Sequence, residues 1–291
     1  MSTLRLWFVA ARPRTLPAAV APVVVGSALA VSEGVFRPLA FLAALVASVF
    51  IQVGTNLSND YSDARRGADS DDRLGPVRVT AGGLLPPRRV LVGTYVAFAI
   101  AVATGLYLIA LVGLELLVVG VASILAGVLY TGGPRPYGYE GLGELFVFLF
   151  FGVVAVTGSY YVQTEGLRPE AFALSVPVGL LATAILVVNN LRDVDTDRRA
   201  GKRTLAVRIG RARTRRLFVA IVVIALVMPL SIWPALSPWV LLAALAAPLA
   251  LPLLRTVSGA ADGPALNAAL AGTGRLLGVF SLLLAVGVAL S

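Results

Sequence analysis

The stretch PLAFLAALVASVFIQVGTNLSNDYSDARRGADSDDR, residues 38–73, begins as an oily run and ends in acids and arginines. Residues 38–54 carry no charge and suit a bilayer core, which takes about 20 apolar residues per helix. The same run then meets Asn56, Asn59, Asp60 and Asp63. Carboxylates at the rim of a membrane core are expensive and are usually there for function.

Outward from this segment the whole chain is oily. Of its 291 residues, 58% are hydrophobic and 13% charged, with a mean hydropathy of +0.89. No soluble domain hides so much apolar surface, so the chain reads as an integral membrane protein. Nine apolar runs, 15–32, 38–60, 90–111, 114–131, 143–162, 172–192, 214–233, 238–255 and 270–289, predict transmembrane helices. Their period is helical and lacks the alternation of a membrane barrel. The fold class is all-α and polytopic, in a single transmembrane domain over residues 1–291. The longest polar interval, Asp60 to Arg89, is too short for a separate soluble domain. The opening MSTLRLWFVAARPRTLPAAV has Arg5, Arg12 and Arg14 spread through it. It reads as an amphipathic lead-in and not as a cleavable signal.

Charge gives orientation. With the N-terminus in the cytoplasm, nine spans put all of the 24 basic residues except Arg37 and Arg168 on or beside the cytoplasmic side, the bias expected of bacterial membrane proteins. The net charge of +9 therefore needs no nucleic acid; it fits this bias, anionic lipid headgroups and an anion site. The predicted location is the inner (plasma) membrane, multi-pass. The chain has no Cys and no His, which excludes thiolate nucleophiles, disulfides, Zn sites on those ligands and imidazole acid–base chemistry. Carboxylates, amides, hydroxyls and Arg or Lys remain, and hard oxygen donors suit Mg²⁺ or Ca²⁺.

More than half of the 15 acids fall into two clusters: Asp60, Asp63, Asp69, Asp71 and Asp72, then Asp193, Asp195 and Asp197. Both follow a span running from outside to inside, so both lie at one membrane face. Asn56, Asp60 and Asp63 share a helical stripe, as do Asn189, Asp193 and Asp197. The likeness of NLSNDYSD to NNLRDVDTD hints at two related halves. Facing rows of carboxylates repel each other unless a cation sits between them. Mg²⁺ takes one or two protein carboxylates and completes its shell with water and substrate phosphate oxygens. Asp60, Asp63, Asp193 and Asp197, with Asn56 in the first stripe, are the candidate metal-binding and catalytic groups. Arg65, Arg66, Arg73, Arg199 and Lys202 are candidates to grip the remaining phosphate charge. Lys202 is the sole lysine of the chain. Asp69, Asp71 and Asp72 read equally as solvated loop acids, and Arg211, Arg213, Arg215 and Arg216 as membrane-surface anchors.

The motifs Asn59-Asp60-Tyr61-Ser62-Asp63 and Asp193-Val194-Asp195-Thr196-Asp197 resemble the N-D-x-x-D and D-x-x-x-D pair of the UbiA superfamily of intramembrane aromatic prenyltransferases. Together with YTGGPRPYGYEGLGE and ARPRTLPAAVAPVVVGSALA, they look most like the members that use 1,4-dihydroxy-2-naphthoate in menaquinone formation. The resemblance implies nine helices around a central cavity, and Mg²⁺ bridging the Asp motifs to a polyprenyl diphosphate. It also implies attack by the naphthoate ring on the allylic carbon with loss of CO₂ and diphosphate. Many members carry a third Asp where this chain has Gly67, and Asp69 is the next acid. On the acceptor side the candidates are Arg14, Tyr130, Tyr137, Tyr139 and Glu144, the tyrosines shielding a developing cation. Phe146, Phe148, Phe150 and Phe151 read as lipid-facing or core residues. Other acceptors, such as 4-hydroxybenzoate or homogentisate, stay open. A cation-coupled transporter also places acids in apolar helices, but these acids lie at one face beside many arginines.

Overall fold

The structure, a computed structural model, describes residues 2–68, 74, 75, 77–259 and 262–291, and among these it is helical without strands. In chain order the helices are α1 (Thr3–Ala11), α2 (Pro17–Ser32), α3 (Pro38–Arg65), α4 (Pro87–Val112), α5 (Glu115–Leu129), α6 (Gly143–Thr164) and α7 (Pro169–Arg192). They continue with α8 (Val194–Arg199), α9 (Leu205–Ala235), α10 (Pro238–Ser258) and α11 (Gly263–Ala289). Proline opens α2, α3, α4 and α7. Its fixed φ suits the first turn, and the amide it lacks would have had no partner there.

Among the described residues, seven helices, α3, α4, α6, α7, α9, α10 and α11, are long and apolar enough to cross a membrane. An eighth span arises if α1 with its following turn and α2, bent by 55°, count as one. Each of the nine predicted runs falls on a helix, yet length and composition alone do not give nine spans. The run 15–32 becomes the 16-residue α2, cut from its lead-in at Arg12, which sits in the left-handed region at φ 55. The run 114–131 becomes the 15-residue α5, bounded on one side by Gly113 at φ 120 and on the other by the Gly/Pro-rich turn after Tyr130.

Helix α7 is the hub. Leu174, Leu181, Val188 and Leu191 pack with Leu29 of α2, Tyr160 of α6, Phe218 of α9 and Phe280 of α11 in one buried core. In a bilayer the lipid tails are as apolar as the helices, so close fit drives this association. One close crossing is α6 on α7, where a methyl on Gly152 would come within 2.7 Å of Gly179 Cα. The π-helical turn Phe148–Val154 lies at the same crossing.

The end of the bundle away from the Asp motifs is tied by polar groups. Glu33 accepts hydrogen bonds from the Tyr160 hydroxyl (2.9 Å) and from Arg168 (2.7 Å), which also meets Glu170. Arg37 pairs with Glu165 at 2.7 Å, and its amide donates to Gln163 Oε1. The two arginines that the charge pattern leaves outside are thus each ion-paired.

Candidate active site

A cavity of about 480 Å³ opens among α3, α4, α5, α6 and α7. One part is walled by apolar side chains such as Leu106, Leu108, Ile109 and Leu116; the other holds Asn59, Asp63, Arg78, Asp193, Asp197 and Lys202. This polarity follows from the sequence order along α3, whose apolar residues precede its acids.

Helix α3 runs unbroken to Arg65, so Asn56, Asn59, Asp60 and Asp63 all project from its last turns and are buried. Asn56 donates to the Ala11 carbonyl at 3.0 Å, and Asn59 accepts from the Thr131 hydroxyl at 2.9 Å. Asp60 lies behind the cavity wall. Its two oxygens accept the backbone amides of Val79 (3.1 Å) and Thr80 (2.9 Å), fixing the turn that brings Arg78 into the cavity. Asp63 faces the cavity and accepts from the Tyr139 hydroxyl (2.7 Å) and the Lys202 ammonium (3.0 Å), with Arg78 at 3.6 Å. The Lys202 nitrogen also lies 4.8 Å from the Tyr139 ring centre.

The second motif is not one continuous helix. The backbone leaves helical geometry at Asp193 (φ −94, ψ 7) and restarts as α8, while the Asp197 amide still donates to the Asp193 carbonyl at 2.8 Å. Asp193 and Asp197 therefore remain one turn apart and both line the cavity. Asp193 is gripped side-on by Arg192, at 2.7 and 2.5 Å. Asp195 points out to Arg211 (2.8 Å), whose guanidinium holds that carboxyl below its ordinary range.

Of the predicted phosphate-gripping cations, Lys202 alone lines the cavity among the described residues. Arg65 is exposed over Tyr61, Arg66 donates to the Gly133 carbonyl above the Tyr139 ring, and Arg199 is exposed. Arg73, Asp69, Asp71 and Asp72 lie outside the described residues. Arg14 is exposed, whereas Arg12, two residues earlier, lines the cavity and donates to the Asn56 carbonyl at 3.4 Å.

Tyr130, Tyr137 and Tyr139 all line the cavity. Tyr137 stacks on Phe146 at 4.1 Å, and its hydroxyl donates to the Ala126 carbonyl; burial pushes that hydroxyl above the usual phenol range, so it stays a neutral donor. Phe146, Phe150 and Phe151 line the cavity too, where the sequence reading put them against lipid or core. Helical spacing alone cannot tell a wall facing lipid from one facing an internal hollow. Glu144 is buried behind the wall and accepts from Asn190 at 2.9 Å. Sequence reasoning placed Asn190 on the stripe of the second motif but missed Arg78 and Arg192 as members of the site. For Arg192 a signal existed: a charge directly before the second motif, still inside an apolar run.

Among the described residues no three carboxylates are arranged to enclose a metal by themselves. The donor set fits Mg²⁺ all the same, because that ion commonly takes few protein carboxylates and fills its shell with phosphate oxygens and water.

Buried acids and a lysine thus gather at one end of a largely apolar cavity inside the helix bundle. The chain belongs to the UbiA prenyltransferase family, whose model matches residues 19–269. It is 43% identical over 285 residues to the 1,4-dihydroxy-2-naphthoate octaprenyltransferase of Mycobacterium tuberculosis, covering 98% of this chain and 97% of the relative. It is 38% identical to the protein of the same name from Escherichia coli, covering 100% and 97%. In fold it is similar to a UbiA homologue from Archaeoglobus fulgidus bound to GPP and Mg²⁺, with a TM-score of 0.67 at 15% identity over 98% of this chain and 100% of that one.

Proposed function

We propose that the protein transfers a polyprenyl chain from its diphosphate to 1,4-dihydroxy-2-naphthoate, releasing diphosphate and CO₂ and forming demethylmenaquinol, the reduced form of demethylmenaquinone. One observation carries the reading: a cavity whose acid- and lysine-lined part continues into an apolar part, as a diphosphate with an isoprenoid tail requires. The near full-length likeness to two naphthoate prenyltransferases supports the choice of acceptor. The proposed setting is one domain of nine spans in the inner membrane, with the N-terminus and the site on the cytoplasmic side.

Asp63, Asp193 and Asp197 would hold Mg²⁺, with Asn56 beside them on α3; Asp60, expected from the sequence to join them, would instead support the set from behind by holding the turn that carries Arg78. When bound, the ion neutralises the diphosphate and stabilises it as a leaving group. Lys202, with Arg78 beside it, moves from Asp63 to the diphosphate oxygens, because both cations already stand at the cavity edge. Arg65, Arg66 and Arg199, all exposed, steer the anion; Arg73, outside the described residues, is proposed to share in gripping the phosphate charge. The C1–O bond breaks, and Tyr130, Tyr137 and Tyr139 present ring faces to the allylic carbon. The ring carbon bearing the carboxylate forms the new C–C bond; loss of CO₂ returns the electron pair to the ring. Arg14 or its cavity-facing neighbour Arg12 meets the acceptor carboxylate, and Glu144 orients the acceptor through Asn190.

The test is direct. Purified protein with labelled polyprenyl diphosphate, Mg²⁺ and dihydroxynaphthoate is expected to yield diphosphate and demethylmenaquinol, read as demethylmenaquinone after oxidation by air. Product formed with 4-hydroxybenzoate or homogentisate, and none with the naphthoate, would overturn the acceptor.

A further inference from the structure

Arg192 is the largest of the fully buried side chains among the described residues, and it sits at the membrane rim next to a carboxylate of the second motif. A guanidinium in such a place is costly, and a buried ion pair is weak evidence of a stability role, since an apolar pair of similar volume serves at least as well. The geometry supplies the reason for keeping it.

Asp193 lies at the break between α7 and α8, where regular helix does not fix the direction of its side chain. The Arg192 fork fixes it instead: Nε donates to Oδ1 at 2.7 Å and Nη2 to Oδ2 at 2.5 Å. The same guanidinium donates from Nη2 to Asn189 Oδ1 at 2.8 Å and from Nη1 to Asn267 Oδ1 at 2.7 Å. Asn267, on α11, donates onward to the Leu74 carbonyl at 2.7 Å. Leu74 belongs to the chain that follows the first motif, and its side chain packs on Gly263 at the start of α11. One planar group thus joins the second motif, α11 and the segment leading to Arg78. Each carboxylate oxygen has lone pairs beyond those taken by Arg192, so orientation by the fork leaves Asp193 able to bind a cation.

We infer that Arg192 is a positioning residue that aims Asp193 into the site and, through Asn267, couples the second motif to the chain following the first. The metal part of this inference rests on the proposed function. Lysine cannot reproduce the fork, although it keeps the charge.

Two variants test it, Arg192→Lys and Asn267→Ala; Asn267 is only half-buried, so its variant keeps the test alive if the first fails to fold. Binding of Mn²⁺ in the presence of a non-reacting thio-analogue of geranyl diphosphate is read by paramagnetic resonance, independent of turnover. Arg192→Lys is expected to weaken Mn²⁺ binding about 10–100-fold, the usual effect of removing a partner that orients a ligand. It also raises the Mg²⁺ concentration needed for half-maximal rate. The chain lacks Cys, so a single Val77→Cys carries a nitroxide; Asn267→Ala is expected to sharpen its spectrum and to weaken Mn²⁺ binding less than Arg192→Lys. Unchanged Mn²⁺ affinity in folded Arg192→Lys overturns the positioning role, and an unchanged nitroxide in Asn267→Ala overturns the coupling. Wild-type protein that turns over no acceptor, yet shows both effects, rejects the proposed activity and leaves this inference standing.

Discussion

The two acidic motifs are spelled alike, but the chain uses them differently. In the first, Asp60 turns away from the cavity to hold two backbone amides, and Asp63 faces inward against Lys202, Arg78 and Tyr139. In the second, both Asp193 and Asp197 face the cavity, and the restraint comes from an arginine one residue earlier. The first motif secures a loop with one of its own acids; the second leaves its acids in the cavity and borrows a cation. A continuous helix such as α3 aims its side chains by its own geometry, whereas a helix broken at Asp193 needs a partner to do so.

The comparison can be broken at its strongest point. Asp63→Asn removes the charge that gathers Lys202, Arg78 and the proposed ion, and turnover, read as diphosphate release, is expected to fall about 10³-fold. Asp60→Asn is expected to cost about 1–3 kcal/mol of stability, because one of the two buried amides loses its acceptor. Thermal unfolding in detergent reads this; a Tm equal to wild type alongside lost activity would make Asp60 an acid of the same kind as Asp63. Tyr139→Phe removes a single hydroxyl from Asp63 and is expected to cost about 1 kcal/mol, or roughly fivefold in kcat/KM. Smallest is Asp195, the acid the comparison leaves out: Asp195→Ala should keep near wild-type turnover and lose less than about 1 kcal/mol. Since Arg211 holds its carboxyl low, that contribution is present at neutral pH and disappears as acid takes the pH down through the depressed value.

The apolar runs and the two motifs were legible because both are local patterns: a helix-length stretch without charge, and acids one turn apart. Lys202 stood out by being the sole lysine. The direction of Asp60 was not legible, since its partners are amides at Val79 and Thr80, some 20 residues downstream in a loop. Nor was Arg78, which reaches the cavity only through tertiary packing. The phenylalanines of α6 failed for another reason: lipid and a cavity for lipid-like chains ask for the same residues. Span count was the weakest inference, because hydropathy registers α2 and α5 as full runs while Arg12 and Gly113 set where their helices stop.

Helix α5 carries a further consequence. Fifteen residues rise about 22 Å, short of the roughly 30 Å hydrocarbon core of a typical bilayer, while its neighbours α3 and α4 are 28 and 26 residues long. If α5 crosses the membrane, as the proposed nine-span setting requires, the bilayer beside it thins or the helix sinks, and either adjustment strains the wall it gives to the cavity. The nine-span setting therefore predicts that in vesicles the rate changes with acyl-chain length at constant headgroup.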